Sequence, residues 1–211
     1  MDLVVFIEIF LHLDIYLKAI IENYGAFTYF LLFSTIFLET GFVITPFLPG
    51  DSLLFAAGAF ASLDVLNIWV LLIILCIAAI VGDSVNYWIG NKIGKKAFRK
   101  NGEPLINQEY MNRTIGFYEK HGGKTIILAR FIPIIRTFAP FVAGIAKMDY
   151  FRFLRYNIIG GIVWVSLFTL GGFWLGNIPF IKDNFGIVIL IIILMSIFPF
   201  IFRFIRKRFI D

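Results

Sequence analysis

The sequence predicts an all-α polytopic membrane protein built as an inverted repeat, with two opposed re-entrant helical hairpins, transmembrane helices and an N-terminal amphipathic helix. Three observations carry this prediction. The 211 residues are 60% hydrophobic and 16% charged, with a mean hydropathy of +0.88, whereas soluble domains carry about 25% charge. Several apolar runs approach the roughly 20 residues needed to cross a bilayer. Two apolar segments, "LETGFVITPFLPGDSLLF" at 38–55 and "ARFIPIIRTFAPFVAGIAK" at 129–147, are broken by prolines and also carry charges.

The elements follow in order along a single membrane domain. Residues 1–24 open with Asp2 rather than a basic region, and Glu8 and Asp14 interrupt the apolar stretch. That is no cleaved signal, and its charge spacing suits an amphipathic helix at the interface. Residues 26–64 form the first hairpin, apolar except for Glu39 and interrupted by the helix breakers of "TPFLPGD". A clean transmembrane run covers 66–90. The basic segment 91–124 lies outside the hydrocarbon as a cytoplasmic amphipathic stretch. The second hairpin, 125–147, is expected to break at Pro133 and Pro140. Two further transmembrane runs cover 156–175 and 185–203.

Orientation follows from lysine and arginine. The 91–124 segment, the connection "KMDYFRFLR" and the C-terminal "RFIRKR" are basic, which places all three in the cytoplasm. If the last two runs each cross once, residue 147 and the C-terminus share a side, so 125–147 enters and leaves from the cytoplasm. By the same counting, the first hairpin enters from outside, and the acidic N-terminus stays there. The short echo between "LLFAAG" and "APFVAG" fits such a repeat. A simpler topology, with 26–48 as one full span, is the alternative.

Composition also excludes functions. The formal charge of +5 comes from lysines and arginines that flank apolar runs, so topology explains them better than nucleic acid does. The single cysteine, Cys76, sits in an apolar run and reads as core packing. His12 and His121 lie far in sequence from the carboxylates, and no metal spacing, phosphate loop or nucleophile elbow occurs. The expectation is a protein that is no enzyme and needs no cofactor or metal.

The charges inside the broken segments carry the functional reading. An ionisable group at the bilayer centre costs about 2.5–3.5 kcal/mol on insertion scales, and four stand here: Glu39, Asp51, Arg130 and Arg136. Two buried salt bridges holding the hairpins together is the structural alternative, although such pairs often stabilise less than apolar packing. Arginine stays charged, and its fork matches phosphate oxygens. Arg130 and Arg136, on either side of Pro133, are therefore the candidate phosphate-binding pair, joined by backbone N–H groups freed near Thr137. Glu39 and Asp51 are candidates for proton coupling or charge balance, because desolvation and a nearby guanidinium pull a carboxylate's protonation in opposite directions. Asp51 also suits a helix cap. Asp83 and Asn86 share a helix face, either bonding helix to helix or lining a substrate path. Tyr87, Trp88, Tyr150 and Tyr156 read as interfacial belt residues.

These stretches together resemble the DedA family, also called SNARE-associated or VTT-domain proteins. The residues carrying the resemblance are "ETGFVITPFLPGD" from Glu39 to Asp51, "GDSVNYWIGNKIGKK", and "ARFIPIIRTFAPFVAGIAKM" followed by F-x-x-x-N-x-x-G-x-x-x-W ending at Trp164. The resemblance covers about residues 25–175. It implies opposed re-entrant hairpins and movement of lipids across the bilayer, dependent in some members on the proton motive force. Bacterial members are linked to returning undecaprenyl phosphate to the cytoplasmic leaflet, and eukaryotic relatives scramble phospholipids. Glu39, Asp51, Arg130 and Arg136 fall on the family's required acidic and basic positions. The expected partners are a polyprenyl phosphate or phospholipid, protons, the bilayer and a second copy in a homo-oligomer. A proton-coupled exporter of cations or small drugs and a general phospholipid scramblase are the alternatives.

Overall fold

The computed structural model describes residues 21, 23–42, 50–97 and 122–183. The interfacial helix at 1–24 (apart from a few residues), most of the basic 91–124 segment, the bend at 43–49 and the last transmembrane run therefore lie outside the described residues. Among the described residues every regular element is helical: α1 Ala26–Gly41, α2 Gly50–Ala61, α3 Ile68–Ala97, α4 Lys124–Ala129, α5 Pro133–Ile145, α6 Tyr150–Gly176 and α7 Pro179–Asp183.

Two helices are long and apolar enough to cross a membrane, through Ile68–Ile93 of α3 and Tyr150–Gly176 of α6. At 1.5 Å per residue each is about 40 Å long, more than the roughly 30 Å hydrocarbon core. Both start on a side-chain cap. Asn67 Oδ1 accepts from the amides of Trp69 and Val70 at 3.0 and 3.2 Å, and Asp149 Oδ1 accepts from the amide of Arg152 at 2.8 Å. Such caps satisfy first-turn donors that the helix cannot. The Asp149 cap explains why α6 begins at Tyr150, ahead of the apolar run predicted from 156. The helix α3 likewise runs past its apolar stretch into "NKIGKKA", where nothing breaks it and lysine is a good helix former.

By contrast α1, α2 and α5 have 16, 12 and 13 residues. These lengths correspond to about 24, 18 and 20 Å, each short of the hydrocarbon thickness. The break between α4 and α5 falls where Pro133 predicts it. Ile132 is extended at φ −116°, ψ 106°, because a proline pushes its predecessor out of the helical region. Pro140 makes no second break, contrary to the sequence reading. It lies inside α5, leaving the Arg136 carbonyl without its usual helical donor. The helix α5 ends instead at Ile145, capped by Ala146 and followed by Lys147, whose φ of 55° is left-handed. Beyond it the Met148 amide bonds the Ala143 carbonyl at 3.0 Å, in the manner of a helix C-terminal cap.

The described residues divide into two compact units, one of 21, 23–32, 50–73 and 166–183 and the other of 33–42, 74–97 and 122–165. In the first, α2 packs on the end of α6 through glycine. A Cβ at Gly172 would stand 2.0 Å from the Phe55 carbonyl oxygen, and one at Gly58 would stand 1.9 Å from that of Thr169. In the second, α3 is the hub. A Cβ at Gly90 would meet the Phe141 carbonyl at 2.1 Å, and one at Gly144 the Tyr87 carbonyl at 2.0 Å, so α3 and α5 touch backbone to backbone.

The core of that unit gathers Tyr87, Ile126, Ala129, Ala139, Ala143 and Phe153. Tyr87 is therefore no interfacial belt residue. It is 2% exposed, stacks on Phe153 with ring centroids 4.6 Å apart and donates its hydroxyl to the Met148 carbonyl. A buried tyrosine is stable where its hydroxyl finds such a partner. Outside, the arrangement reverses that of a soluble protein. Trp69, Ile73, Ile77, Val81 and Trp88 of α3 are exposed, whereas glutamate, aspartate and arginine are buried. Lipid favours that inversion, because it solvates apolar side chains and cannot solvate charges.

Candidate functional site

The helix break between α4 and α5 places two arginines by local geometry alone. Arg130 caps the end of α4. Arg136 follows the first turn of α5, its amide bonded to the Ile132 carbonyl at 2.9 Å. Both side chains turn into the second unit, where Arg130 is 1% and Arg136 4% exposed.

Each meets its own carboxylate. Arg136 Nη2 donates to Glu39 Oε1 in the last turn of α1. Arg130 Nη2 donates to Asp83 Oδ2, in the middle of α3. The buried charges thus form two ion pairs, Arg136 with Glu39 and Arg130 with Asp83. The second pair was missed in the sequence, where Asp83 was read as a helix–helix or path-lining residue. The available signal was a carboxylate inside an apolar span, which has the same insertion cost as Glu39.

Polar and aromatic groups from α3 and α6 complete the surroundings. Arg130 Nη2 also donates to Asn157 Oδ1. The Asn157 amide in turn donates to the Ile80 carbonyl at 2.9 Å and the Ser84 hydroxyl at 3.3 Å. The Arg130 side chain lies along Gly160 and Gly161 of α6. A Cβ at Gly160 would come 3.1 Å from Arg130 Cδ, and one at Gly161 would come 3.5 Å from Arg130 Nη1. Arg136 stands over the Trp164 ring, its guanidinium carbon 4.6 Å from the centroid, within cation–π range. Neither Asn157 nor Trp164 was given a role from sequence. Phe153, Asn157, Gly160 and Trp164 recur at helical spacing, so they share one face of α6, and that stripe was the signal.

Asn86 is wholly buried and joins the two short segments. Its amide donates to the Thr40 carbonyl at 3.1 Å and the Thr137 carbonyl at 2.7 Å. Those are the residues that follow Glu39 and Arg136, so one side chain ties the backbone beside both members of an ion pair. Thr137 itself is buried beyond the first turn of α5. The amides left free by the helix start precede it in sequence.

The second unit thus brings together Glu39, Asp83, Asn86, Arg130, Arg136 and Thr137. Asp51 belongs to the first unit, inside the first turn of α2 rather than ahead of it as a cap. A carboxylate there complements the helix dipole. Among the described residues no group of histidine, cysteine and carboxylate side chains could hold a metal ion.

The family model of the VTT domain matches residues 48–173. Protein DedA of Escherichia coli strain K12 is 51% identical over 99% of this chain and 96% of its own length. A membrane protein of Mycobacterium leprae is 43% identical over 78% of this chain and 73% of its own. Inner membrane protein YghB of Escherichia coli strain K12 is 35% identical over 74% and 71%. No solved structure matches the chain.

Proposed function

Because the chain belongs to the DedA family of VTT-domain membrane proteins, we propose that it moves a phosphate-bearing lipid, undecaprenyl phosphate before others, between the leaflets of the cytoplasmic membrane, with a proton accompanying the cycle. The observation that carries this reading is the pair of arginines buried inside apolar helices, one on each side of a helix break, each held by a carboxylate. A guanidinium kept at such cost suits an anion that must itself cross hydrocarbon. The headgroup meets the arginines while the polyprenyl tail stays in lipid. Glu39 balances Arg136 when no anion is there.

The lengths of α1, α2 and α5 support the re-entrant reading, because none of the three crosses the hydrocarbon alone. Two opposed hairpins would leave irregular backbone at membrane depth only where protein or water covers it. The basic flanks support a cytoplasmic C-terminus.

A second reading is a proton-coupled exporter of cations or small drugs. It is favoured by the fact that both arginines are already matched by carboxylates, which then form the site themselves.

The test uses the purified chain in liposomes holding trace undecaprenyl phosphate, with and without a proton gradient. Loss of outer-leaflet phosphate accessibility is followed beside a phosphatidylethanolamine analogue and the Arg136→Ala variant. Movement of the polyprenyl phosphate alone, lost in the variant, is the expected result. Equal movement of both lipids would make the chain a general scramblase, and movement of neither would favour the exporter.

A further inference from the structure

Arg130 is held at one nitrogen by two different oxygens. Nη2 donates to both Asp83 Oδ2 and Asn157 Oδ1, which uses its two N–H groups. Nε and Nη1 are buried with no protein partner among the described residues. A guanidinium offers an oxyanion two forks, Nε with Nη2 or Nη1 with Nη2, and Nη2 belongs to both. An anion can therefore take Arg130 bidentately only by replacing one of the oxygens already on Nη2.

The two oxygens are not equally replaceable. Asn157 is fixed by its own amide, which bonds the Ile80 carbonyl and the Ser84 hydroxyl. Asp83 has no comparable tie, since Oδ1 is buried without a protein partner among the described residues. The backbone of α6 runs alongside the arginine at Gly160 and Gly161, and Asn157 of the same helix keeps its hold on Nη2.

Resting on the phosphate-lipid reading, we propose that Asp83 is the group the phosphate replaces, and that Asp83 leaves Arg130 carrying a proton. A buried carboxylate deprived of its guanidinium has no water to return to, and protonation removes the charge. The step balances: the ion pair, one phosphate anion and one proton become a phosphate on Arg130 and a neutral Asp83. No covalent bond of the lipid changes, and the proton comes from the aqueous phase. The other ionisable groups around this pair are Arg136 and Cys76, both in the field of Arg130, and Glu39, held on Arg136. Exchange at Arg130 leaves the Glu39 pair closed, so the proton is assigned to Asp83 and not to the glutamate.

The experiment measures binding of a short-chain polyprenyl phosphate to the full chain in nanodiscs, with proton uptake read by a pH indicator. The lipid's own phosphate titrates with every protein, so the quantity read is the difference between variants. Asp83→Asn should take up about one proton fewer per lipid than wild type, and lose the roughly tenfold weakening per pH unit that wild-type binding shows on the alkaline side. Glu39→Gln should keep the wild-type proton count. An unchanged count in Asp83→Asn, or a proton lost only in Glu39→Gln, would overturn the assignment. If Asp83→Asn does not fold, infrared spectra of wild type decide. Lipid binding should add one carboxylic-acid band that survives Glu39→Gln, and its absence would overturn the proposal. Failure of the underlying reading looks different: folded wild type would bind no polyprenyl phosphate at any pH.

Discussion

Arg130 and Arg136 lie on opposite sides of one helix break, yet their surroundings are built on different plans. Arg130 is enclosed by two oxygens, of Asp83 and Asn157, at one nitrogen, and by the bare backbone of Gly160 and Gly161 along its length. Arg136 has a carboxylate on one side and the face of Trp164 on another. An aromatic face attracts a cation without dictating where each N–H points, whereas two oxygens on one nitrogen fix the fork. The difference teaches that two buried arginines six residues apart are not interchangeable. One has two oxygens on a single nitrogen, and the other has a carboxylate together with an aromatic face.

The largest expected effect comes from removing a carboxylate. Asp83→Ala should destabilise the protein by about 3–5 kcal/mol, the cost of an uncompensated buried charge. Glu39→Ala should cost less, because Trp164 still faces Arg136. Thermal unfolding of the two variants in detergent ranks them, and the reverse order would break the comparison. Next, Gly160→Val leaves every charge in place but drives a side chain into the groove of Arg130. Overpacking of this kind costs about 1–3 kcal/mol, and lipid binding should weaken along with stability. A variant as stable and active as wild type would mean the groove is not tight. Asn157→Leu removes the second oxygen from Nη2 and the amide donor to the Ile80 carbonyl, which keeps the Ser84 hydroxyl, an expected loss of about 1–3 kcal/mol by the same unfolding measurement. The smallest effect belongs to Trp164→Phe, which keeps an aromatic face under Arg136. It should change stability by about 1 kcal/mol, and a larger loss than Asn157→Leu would show Arg136 to be the more tightly specified arginine.

Much of this was legible in the sequence. The helical class, both long spans, the break at Pro133 and the burial of Glu39, Arg130 and Arg136 all follow from apolar runs interrupted by charge and proline. The identity of Arg130's partner did not follow. Pairing across 47 residues depends on which helix α3 presents to the break, and the close contacts at Gly90 and Gly144 decide that. Such contacts leave no trace in hydropathy. Pro140 misled for a related reason: proline usually ends a helix, but inside a packed one its lost hydrogen bond can be tolerated. Tyr87 misled because a tyrosine near the end of a span looks the same in sequence whether its ring faces lipid or another helix. Asn86 was chosen for its polarity, but its bonds to the carbonyls beside Glu39 and Arg136 required coordinates.

The matching of two arginines by two carboxylates has an electrical consequence. With both pairs ionised the cluster sums to zero charge, so a transmembrane voltage exerts no net force on it when it moves as a body. A passenger anion changes that sum by its own charge unless a proton travels with it. Each uncompensated elementary charge moved across the membrane is worth about 2.3 kcal/mol per 100 mV. On the proposed phosphate-lipid reading, the loaded crossing would then be driven by voltage or by pH according to the passenger's proton count, and the unloaded return would be electrically silent.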